Sequence, residues 1–321
     1  MATQPPRLSE LALASLRLRD LQLLSAVVAR KSMSKAAVDL RMSQASVSEA
    51  LAKLEDLFGV KLLDRSSRGV APTIYANVLL ERGLVVFDEL RQGMRDIQHL
   101  TNPSIGEVRV GCPETLAAGL LPAVIDRLSR QTPGIAVHIV HAESSTLEYR
   151  ELRERNIDVM LGRVMDEWVG ADDELDIEML FDERYSVVAA KKNRWARAAR
   201  VRLIDLVNDP WIHMPAHNPL ASLLDSAFQA ENLATPKASV TCFSMHVRMH
   251  LLATGRFLTI VPESMLRYNE HRWSIARLPI KLRIAPRRGA IVTLKGRTLS
   301  PVVKNFIAHV RIIAQELIEK S

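Results

Sequence analysis

A chain of 321 residues, 48% hydrophobic and 25% charged, has room for two or three domains with sizeable cores and the composition of a globular rather than a disordered protein. Its formal net charge of +7 favours a polyanionic partner, while two cysteines, Cys112 and Cys242, exclude a disulfide framework and point to a reducing compartment. The opening MATQPPRLSE carries proline and charge where a secretion signal needs an apolar run, and no stretch approaches a membrane span, so a cytoplasmic protein without membrane contact is expected. The charge is unevenly spread. Between Arg17 and Arg68 ten Lys or Arg stand against six acids, from Glu143 to Glu183 acids dominate, and from His271 to Gln315 there is no acid at all. The first part of the chain therefore suits a polyanion and the middle does not.

Residues 1–15 read as a loose tail, after which Leu18, Leu21, Leu24 and Val28 mark an amphipathic helix. From Ser32 to Leu57 the pattern is two short helices and a tight turn. Ser34 is the expected N-cap of the first, with Ala36, Ala37 and Leu40 as its small apolar face, and Ser43 is the expected N-cap of the second. Val47, Leu51, Leu54 and Leu57 form the stripe that the second helix buries. Gln44, Ala45, Ser48, Glu49 and Ala52 fall on another face, slim and hydrogen-bonding, and such a face enters the DNA major groove without steric conflict. The same spacing describes a plain helix pair in any helical domain, so the flanks decide. Gly59 suits a left-handed cap, and KLLDRSSRGVAPT reads as a hairpin: Lys61–Leu63 out, a turn from Arg65 to Gly69, Val70–Ala71 back. Arg65 and Arg68 at its tip suit phosphate or minor-groove contact.

The stretch from Leu18 to Thr73 resembles the winged helix-turn-helix of LysR-type transcriptional regulators, through Ser32-Met33-Ser34, Ala36-Ala37, Leu40, Ser43-Gln44, Val47-Ser48, Leu54-Glu55, Gly59-Val60, Leu62-Leu63-Asp64-Arg65 and Pro72-Thr73. The resemblance implies that Gln44, Ser46 and Ser48 face DNA and that Ser34 and Arg65 contact its backbone. Glu49 departs from the family, which carries Arg, Lys or Gln there. A carboxylate near phosphates costs affinity unless it accepts from a cytosine amino group or pairs with Lys53 one turn on. Pro72-Thr73-Ile74-Tyr75 is similar to the subgroup named for regulating a galactose-binding protein.

Ile74 to Thr101 has no proline and repeats Ala76, Leu80, Gly83, Phe87, Leu90, Met94 and Ile97 in alternating steps of four and three. Those steps place all seven on one seam, as a coiled-coil partner requires, along a helix of roughly 40 Å. The resemblance makes it a linker that pairs two subunits into a homodimer or homotetramer and spaces two recognition helices.

Asn102-Pro103-Ser104 ends the helix. Strands then alternate with helices: Val108–Gly111, a helix over Thr115–Leu128, Ala136–His141, a helix over Thr146–Arg155, and Ile157–Leu161. The pattern resumes with Tyr185–Ala189, a helix over Pro219–Ala230, Ser239–Cys242, a helix over Ser244–Ala253, Phe257–Val261, Ala290–Leu294 and a final helix from Val303 to Leu317. Such order predicts a mostly parallel sheet. Asn156-Ile157-Asp158-Val159 and Arg256 to Pro262 resemble the effector domain of the same family, which is similar to two-lobed periplasmic solute-binding proteins of type 2. The expected plan is a DNA-binding domain over 16–73, a linker over 74–102 and an effector domain over 103–321. Its lobe I covers about 103–180 and 280–321, and its lobe II 181–279.

Open α/β lobes hold ligands at the carboxyl ends of their strands, which here means Pro113-Glu114-Thr115, Ser144-Ser145, Met214-Pro215-Ala216 and Phe243-Ser244-Met245. The expected effector contacts are Thr115, Ser144, Ser145, Met214, Phe243, Ser244 and Pro262. Thr115 and Ser144 match positions where the family holds its effector. Read as N-caps, the same Ser and Thr would be purely structural. Glu114 and Glu143 beside the cleft speak against a highly anionic effector, leaving a neutral sugar or polyol, or an aromatic acid held by amides. Cys242, His246 and His250 are spaced four apart without a carboxylate to complete a metal set, so no metal or cofactor is expected. Cys112 and Cys242 end strands in opposite lobes, where isolated cysteines serve as small buried hydrophobes. The chain has no G-x-S-x-G, H-E-x-x-H, phosphate loop or G-x-G-x-x-G, so no enzyme is expected. The reading is a ligand-responsive regulator that binds double-stranded promoter DNA near RNA polymerase. The rivals are a plain solute-binding protein and an enzyme with a DNA-binding appendage.

Overall fold

Burial of one helical stripe after another organises the first part of the chain. The computed structural model describes residues 10–66, 69–102, 105–142, 149–216, 221–270, 272–285 and 287–319. The chain divides into an N-terminal unit up to Arg91 and a C-terminal unit from Gln92. The N-terminal unit opens with α1 (Glu10–Ser15), a helix where a loose tail was expected, followed by α2 (Leu18–Arg30), α3 (Met33–Asp39) and α4 (Gln44–Phe58). A hairpin of β1 (Leu63–Ser66) and β2 (Gly69–Pro72) comes next, then α5 (Ile74–Thr101). Leu24 and Val27 of α2, Ala36 and Ala37 of α3, Val47, Leu51 and Leu54 of α4 and Ala76 of α5 make one core. Of the stripe expected on α2, Leu21 and Leu24 are buried, but Leu18 is exposed and Val28 only half-buried. Because α2 packs on both α3 and α4, its buried face turns toward Leu23 and Val27.

The first helix of the pair begins earlier than Ser34. Its N-cap is Ser32, in extended conformation, whose Oγ accepts the N–H of Lys35 at 3.4 Å. Met33 is a core residue, and burying it requires the helix to start there. Ser43 caps α4 as expected, accepting the N–H of Ser46 at 3.0 Å, and α4 ends on Gly59 in the left-handed region at φ 65°. Glu55 of α4, only 5% exposed, accepts the N–H groups of Leu62 at 2.9 Å and Leu63 at 3.3 Å and pairs with Lys61 Nζ at 2.7 Å. That carboxylate holds the chain beside α4 before the ladder starts. The strands therefore run closer to the tip than expected, pairing Leu63 with Pro72 and Ser66 with Gly69, so Arg65 and Gly69 belong to the ladder and Lys61 and Leu62 do not.

In the C-terminal unit the strands β3 (Gly106–Cys112), β4 (Ile135–His141), β5 (Val159–Val164), β6 (Leu175–Glu183) and β12 (Arg287–Leu294) form one sheet in the order β4-β3-β5-β12-β6. β3 is parallel to β4 and β5, and β12 is antiparallel to both β5 and β6, so β3, β4, β5 and β6 run one way, as expected of a mostly parallel sheet, and β12 runs against them. The reason is connectivity: β12 arrives from the far end of the chain without the crossover that enforces parallel order. The helices α7 (Leu120–Gln131) and α12 (Pro301–Glu319) cover one face through Leu121, Val124, Phe306 and Val310, and Leu152 and Ile157 pack with Val292 on the other. The expected helix over Thr115–Leu128 is two helices, α6 (Glu114–Ala117) and α7, broken at Gly119. A Cβ there would lie 2.9 Å from the Cα of Met265, so the backbones meet with no room for a side chain. The expected helix over Thr146–Arg155 is described only as α8 (Arg150–Arg153).

At Glu183 the chain leaves this sheet for a second lobe. There β7 (Tyr185–Ala190) lies between β10 (Thr259–Pro262) and β11 (Ile275–Arg277), both antiparallel to it, and β8 (Trp211–His213) pairs in parallel with β9 (Ala238–Thr241). The helices α9 (Ser222–Gln229), α10 (Met245–Ala253) and α11 (Glu263–Asn269) complete the lobe. β6, β8, β11 and α11 were not anticipated from the sequence. Among the described residues no helix is long and apolar enough to cross a membrane.

Asp158, 1% exposed, accepts from Arg109 N at 2.9 Å, Arg109 Nη2 at 2.7 Å and Arg297 Nη2 at 3.0 Å. Burial pushes its pKa up, but these donors outweigh it and hold the carboxyl below its ordinary value. Glu55 is balanced the same way: burial raises its pKa, and the bonds from Lys61, Leu62 and Leu63 bring it below normal. Glu55→Ala should cost about 1–3 kcal/mol by leaving two buried amides without acceptors, read as faster hydrogen exchange along α4 and β1. A depressed folded pKa gives stability that is complete above the unfolded value of about 3.9 and is lost as pH falls through the lowered one. Asp158→Asn should therefore destabilise the C-terminal unit at neutral pH by about 3–5 kcal/mol and flatten the acid limb of its denaturation curve, followed by tryptophan fluorescence.

Candidate nucleic-acid interface and ligand cleft

The exposed face of α4 carries Gln44, Ala45, Ser46, Glu49, Ala52 and Lys53, with Ser48 half-buried at its edge. Helix capping orders the start of this face, since Ser43 Oγ also lies 2.8 Å from Ser46 Oγ. Ser34, inside α3 rather than capping it, donates to Gln44 Oε1 at 2.9 Å and so joins the two helices. Glu49 pairs with Lys53 Nζ at 2.8 Å, and the hydrogen bond and charge of Lys53 lower its pKa. The carboxylate that departs from the family pattern is thereby matched within its own helix. Arg65 projects from β1 into solvent, while Arg68 lies outside the described residues.

The seven seam positions of α5 separate into three groups. Ala76 belongs to the core of the N-terminal unit, and a Cβ on Gly83 would sit 3.7 Å from Leu21, so both are turned toward the chain's own helices rather than a partner. Leu80 and Phe87 are half-buried. Leu90, Met94 and Ile97 are exposed, Met94 by 70% and Ile97 by 67%, with Val86 and Leu100 beside them.

Between the two lobes of the C-terminal unit lies a cavity of about 30 Å³ whose lining includes Thr115, Tyr185, His213, Met214, Arg248 and Pro262. Thr115, Met214 and Pro262 of the expected contacts are there. Phe243 and Ser244 are not: the Phe243 ring sets its edge against His141 at 5.4 Å, and Ser244 is the N-cap of α10, accepting the N–H of Val247 at 3.4 Å. Ser144 and Ser145, like Glu143, lie outside the described residues. Glu114 is occupied in capping α10, both its carboxylate oxygens accepting the N–H of Met245 at 2.9 Å.

Beneath the cavity a buried ion pair joins Arg163 Nε to Glu183 Oε2 at 2.9 Å. Arg163 Nη1 donates to Thr115 Oγ1 at 2.7 Å, and Glu183 accepts from Ser264 N at 3.1 Å and Ser264 Oγ at 2.5 Å. The helix N-terminus of α11 and the threonine of α6 are thus held by one pair of charges. Sequence reasoning missed Arg163, Glu183 and Arg248. For Arg248 a signal exists: with Met245, Met249 and Leu252 it occupies the buried stripe of α10, where an arginine is out of place. Cys112 is buried, and burial pushes its thiol up to about 11 despite the nearby Arg163, which makes it unreactive. Cys242 lies beyond β9 and off the helix that carries His246 and His250, whose rings contact each other at 5.0 Å.

Comparison with known proteins places this geometry. The family described as bacterial regulatory helix-turn-helix protein, lysR family, matches residues 18–76, and the LysR substrate binding domain matches residues 101–313. The HTH-type transcriptional regulator GbpR of Azospirillum brasilense is 27% identical over 93% of this chain and 86% of its own length. The transcriptional dual regulator GltC of Bacillus subtilis is 26% identical over 92% of this chain and 96% of its own. Among solved structures, full-length CbnR complexed with its target DNA shares the fold with a TM-score of 0.63 at 19% identity, covering 93% of this chain and 100% of that one. Full-length OxyR from Pseudomonas aeruginosa shares it with a TM-score of 0.61 at 18% identity, covering 94% and 95%. The chain belongs to the LysR family: it is a DNA-binding transcriptional regulator with an N-terminal helix-turn-helix and a C-terminal substrate-binding domain.

Proposed function

We propose that two or four copies of this chain read a promoter through residues 16–73, pair through residues 74–102 and sense a small molecule through residues 103–321. The observation that carries the reading is the slim polar face of α4, exposed on a helix whose opposite stripe is spent on the core. Gln44, Ala45, Ser46 and Ser48 read base edges, Ser34, Lys53 and Arg65 approach phosphates, and Glu49 accepts from a cytosine amino group or stays with Lys53. Arg68, outside the described residues, serves phosphate contact as well. Pairing uses Leu90, Met94 and Ile97, because an exposed apolar strip on a long helix is covered most simply by its own copy. One recognition helix reads few base pairs, and two half-sites multiply the specificity.

The effector occupies the cleft lined by Thr115, Met214 and Pro262. Its binding shifts the population between lobe and subunit arrangements, alters half-site spacing or DNA bend, and so changes RNA polymerase access at a nearby promoter. The protein works in the cytoplasm as a binding protein without catalytic activity. Support for the last point is that its relatives are transcriptional regulators, with none of the four motifs sought above in its sequence.

A mobility-shift assay on the chain's own upstream intergenic DNA tests the reading. Ser48→Arg should abolish specific binding while solubility and oligomeric state persist; unchanged operator affinity would remove that face from the interface. Leu90→Glu with Met94→Glu should convert the oligomer to monomer in sedimentation and weaken operator binding at least about a hundredfold, through loss of the second half-site.

A further inference from the structure

Arg248 is 2% exposed, yet no carboxylate among the described residues lies within ion-pair distance of it. Its partners are neutral: Nη2 donates to Thr259 Oγ1 at 3.0 Å and Ile260 O at 2.7 Å, Nη1 meets the Met214 Sδ at 3.3 Å, and Nε has no partner among the described residues. Burial lowers its pKa to about 10, against the weaker pull of Cys242 and Glu114, so it remains a cation at neutral pH. Glu114 acts only from a distance, with both oxygens engaged at the Met245 amide. Buried charges are ordinarily paired, because the lost hydration has to be replaced. Here the unreplaced hydration belongs to a group on the wall of the cleft. Two further unpartnered polar atoms, Tyr185 OH and His213 Nε2, belong to residues of the same lining. Ile212, Leu223 and Pro262 supply an apolar wall.

We propose that the cleft takes a small monocarboxylate, whose carboxylate is neutralised by Arg248 and whose apolar body lies against Ile212, Leu223 and Pro262. The inference rests on the reading of this cleft as the effector site. The acid displaces the Met214 thioether, a weak acceptor, from Nη1 and engages the vacant Nε, forming charge-assisted hydrogen bonds. Tyr185 OH donates to the same oxyanion or to a second polar atom of the ligand. A cavity of about 30 Å³ holds roughly one or two waters, so the acid enters by moving Met214 and widening the cleft. A neutral sugar would leave the guanidinium unneutralised. Of the alternatives left open beside Glu114 and Glu143, this selects an acid over a sugar or polyol and gives its carboxylate a guanidinium rather than amides; Glu114 itself is committed to a helix cap.

Thermal melting of the full-length protein decides it, with formate, acetate, propionate and benzoate as probes. Acetamide, propionamide and benzamide serve as neutral matches, and galactose as a polyol. At least one acid should raise the melting temperature with concentration while its amide does not. Arg248→Met should weaken that binding at least about thirtyfold by titration calorimetry, while melting, without ligand, no lower than wild type. Arg248→Lys, which keeps the charge but not the planar fork, should retain part of the response. If no acid shifts melting, or if Arg248→Met binds the acids as wild type does, the charge assignment is overturned. Should an amide or galactose bind instead, and lose its effect in Thr115→Val, the effector cleft stands and only the carboxylate falls. Should an acid bind with an affinity indifferent to Thr115→Val, Met214→Ala and Arg248→Met alike, the cleft itself is not the site.

Discussion

The C-terminal unit depends on the pairing of Arg163 with Glu183, two charges that are each no more than 2% exposed. Burying either alone would cost the hydration that its partner now replaces. Once together, they recruit donors and acceptors from elements that are distant in sequence: Thr115 from α6 and Ser264 from the first turn of α11. The pair adds little stability relative to a well-packed apolar substitute, but through Ser264 it favours one docking of the lobes, since another would take two hydrogen bonds from a buried carboxylate. Thr115 lines the cleft and bonds Arg163, so one hydroxyl belongs both to the ligand cavity and to the joint.

The same physics recurs in both units and gives motif residues a structural meaning. Leu54-Glu55 carries the resemblance to the winged helix, and Glu55 is there to tie α4 to the start of the wing through two backbone amides. Asn156 to Val159 carries the resemblance of the second domain, and Asp158 ties β5 to Arg109 of β3 and to Arg297 beyond β12. Both are buried acceptors satisfied by fixed donors, and removing one donor or acceptor from such a set costs more than the whole set contributes.

How much of this was legible in the amino-acid sequence depended on whether the signal was local. The span of α5, Ile74–Thr101, was readable residue for residue, since proline-free heptads end at Asn102-Pro103. The capping serine at position 43 and the left-handed Gly59 were equally readable, because caps are decided within a few residues. What escaped was settled at a distance. Ser32 rather than Ser34 opens α3 because Met33 has a core to enter. β12 runs against its neighbours because of where the chain returns from. Gly119 divides the helix because a second backbone lies against it. At the candidate sites, the small polar face of α4 followed from helical spacing, whereas Phe243 and Ser244 were drawn away from the cleft by His141 and by a capping role. Arg248 was visible only as a charge in an apolar stripe, and its surroundings of neutral acceptors come from β10 and Met214.

The close approach at Gly119 has a mechanical consequence. Where two lobes meet through side chains, rotamers yield a little at a time and the joint is soft. Here the main chain of one lobe rests directly on the main chain of α11, with the Asn269 amide fastening it to Ala118 O at 2.7 Å. Such a joint has an end-stop rather than a spring: the two backbones cannot press closer there unless main chain is displaced.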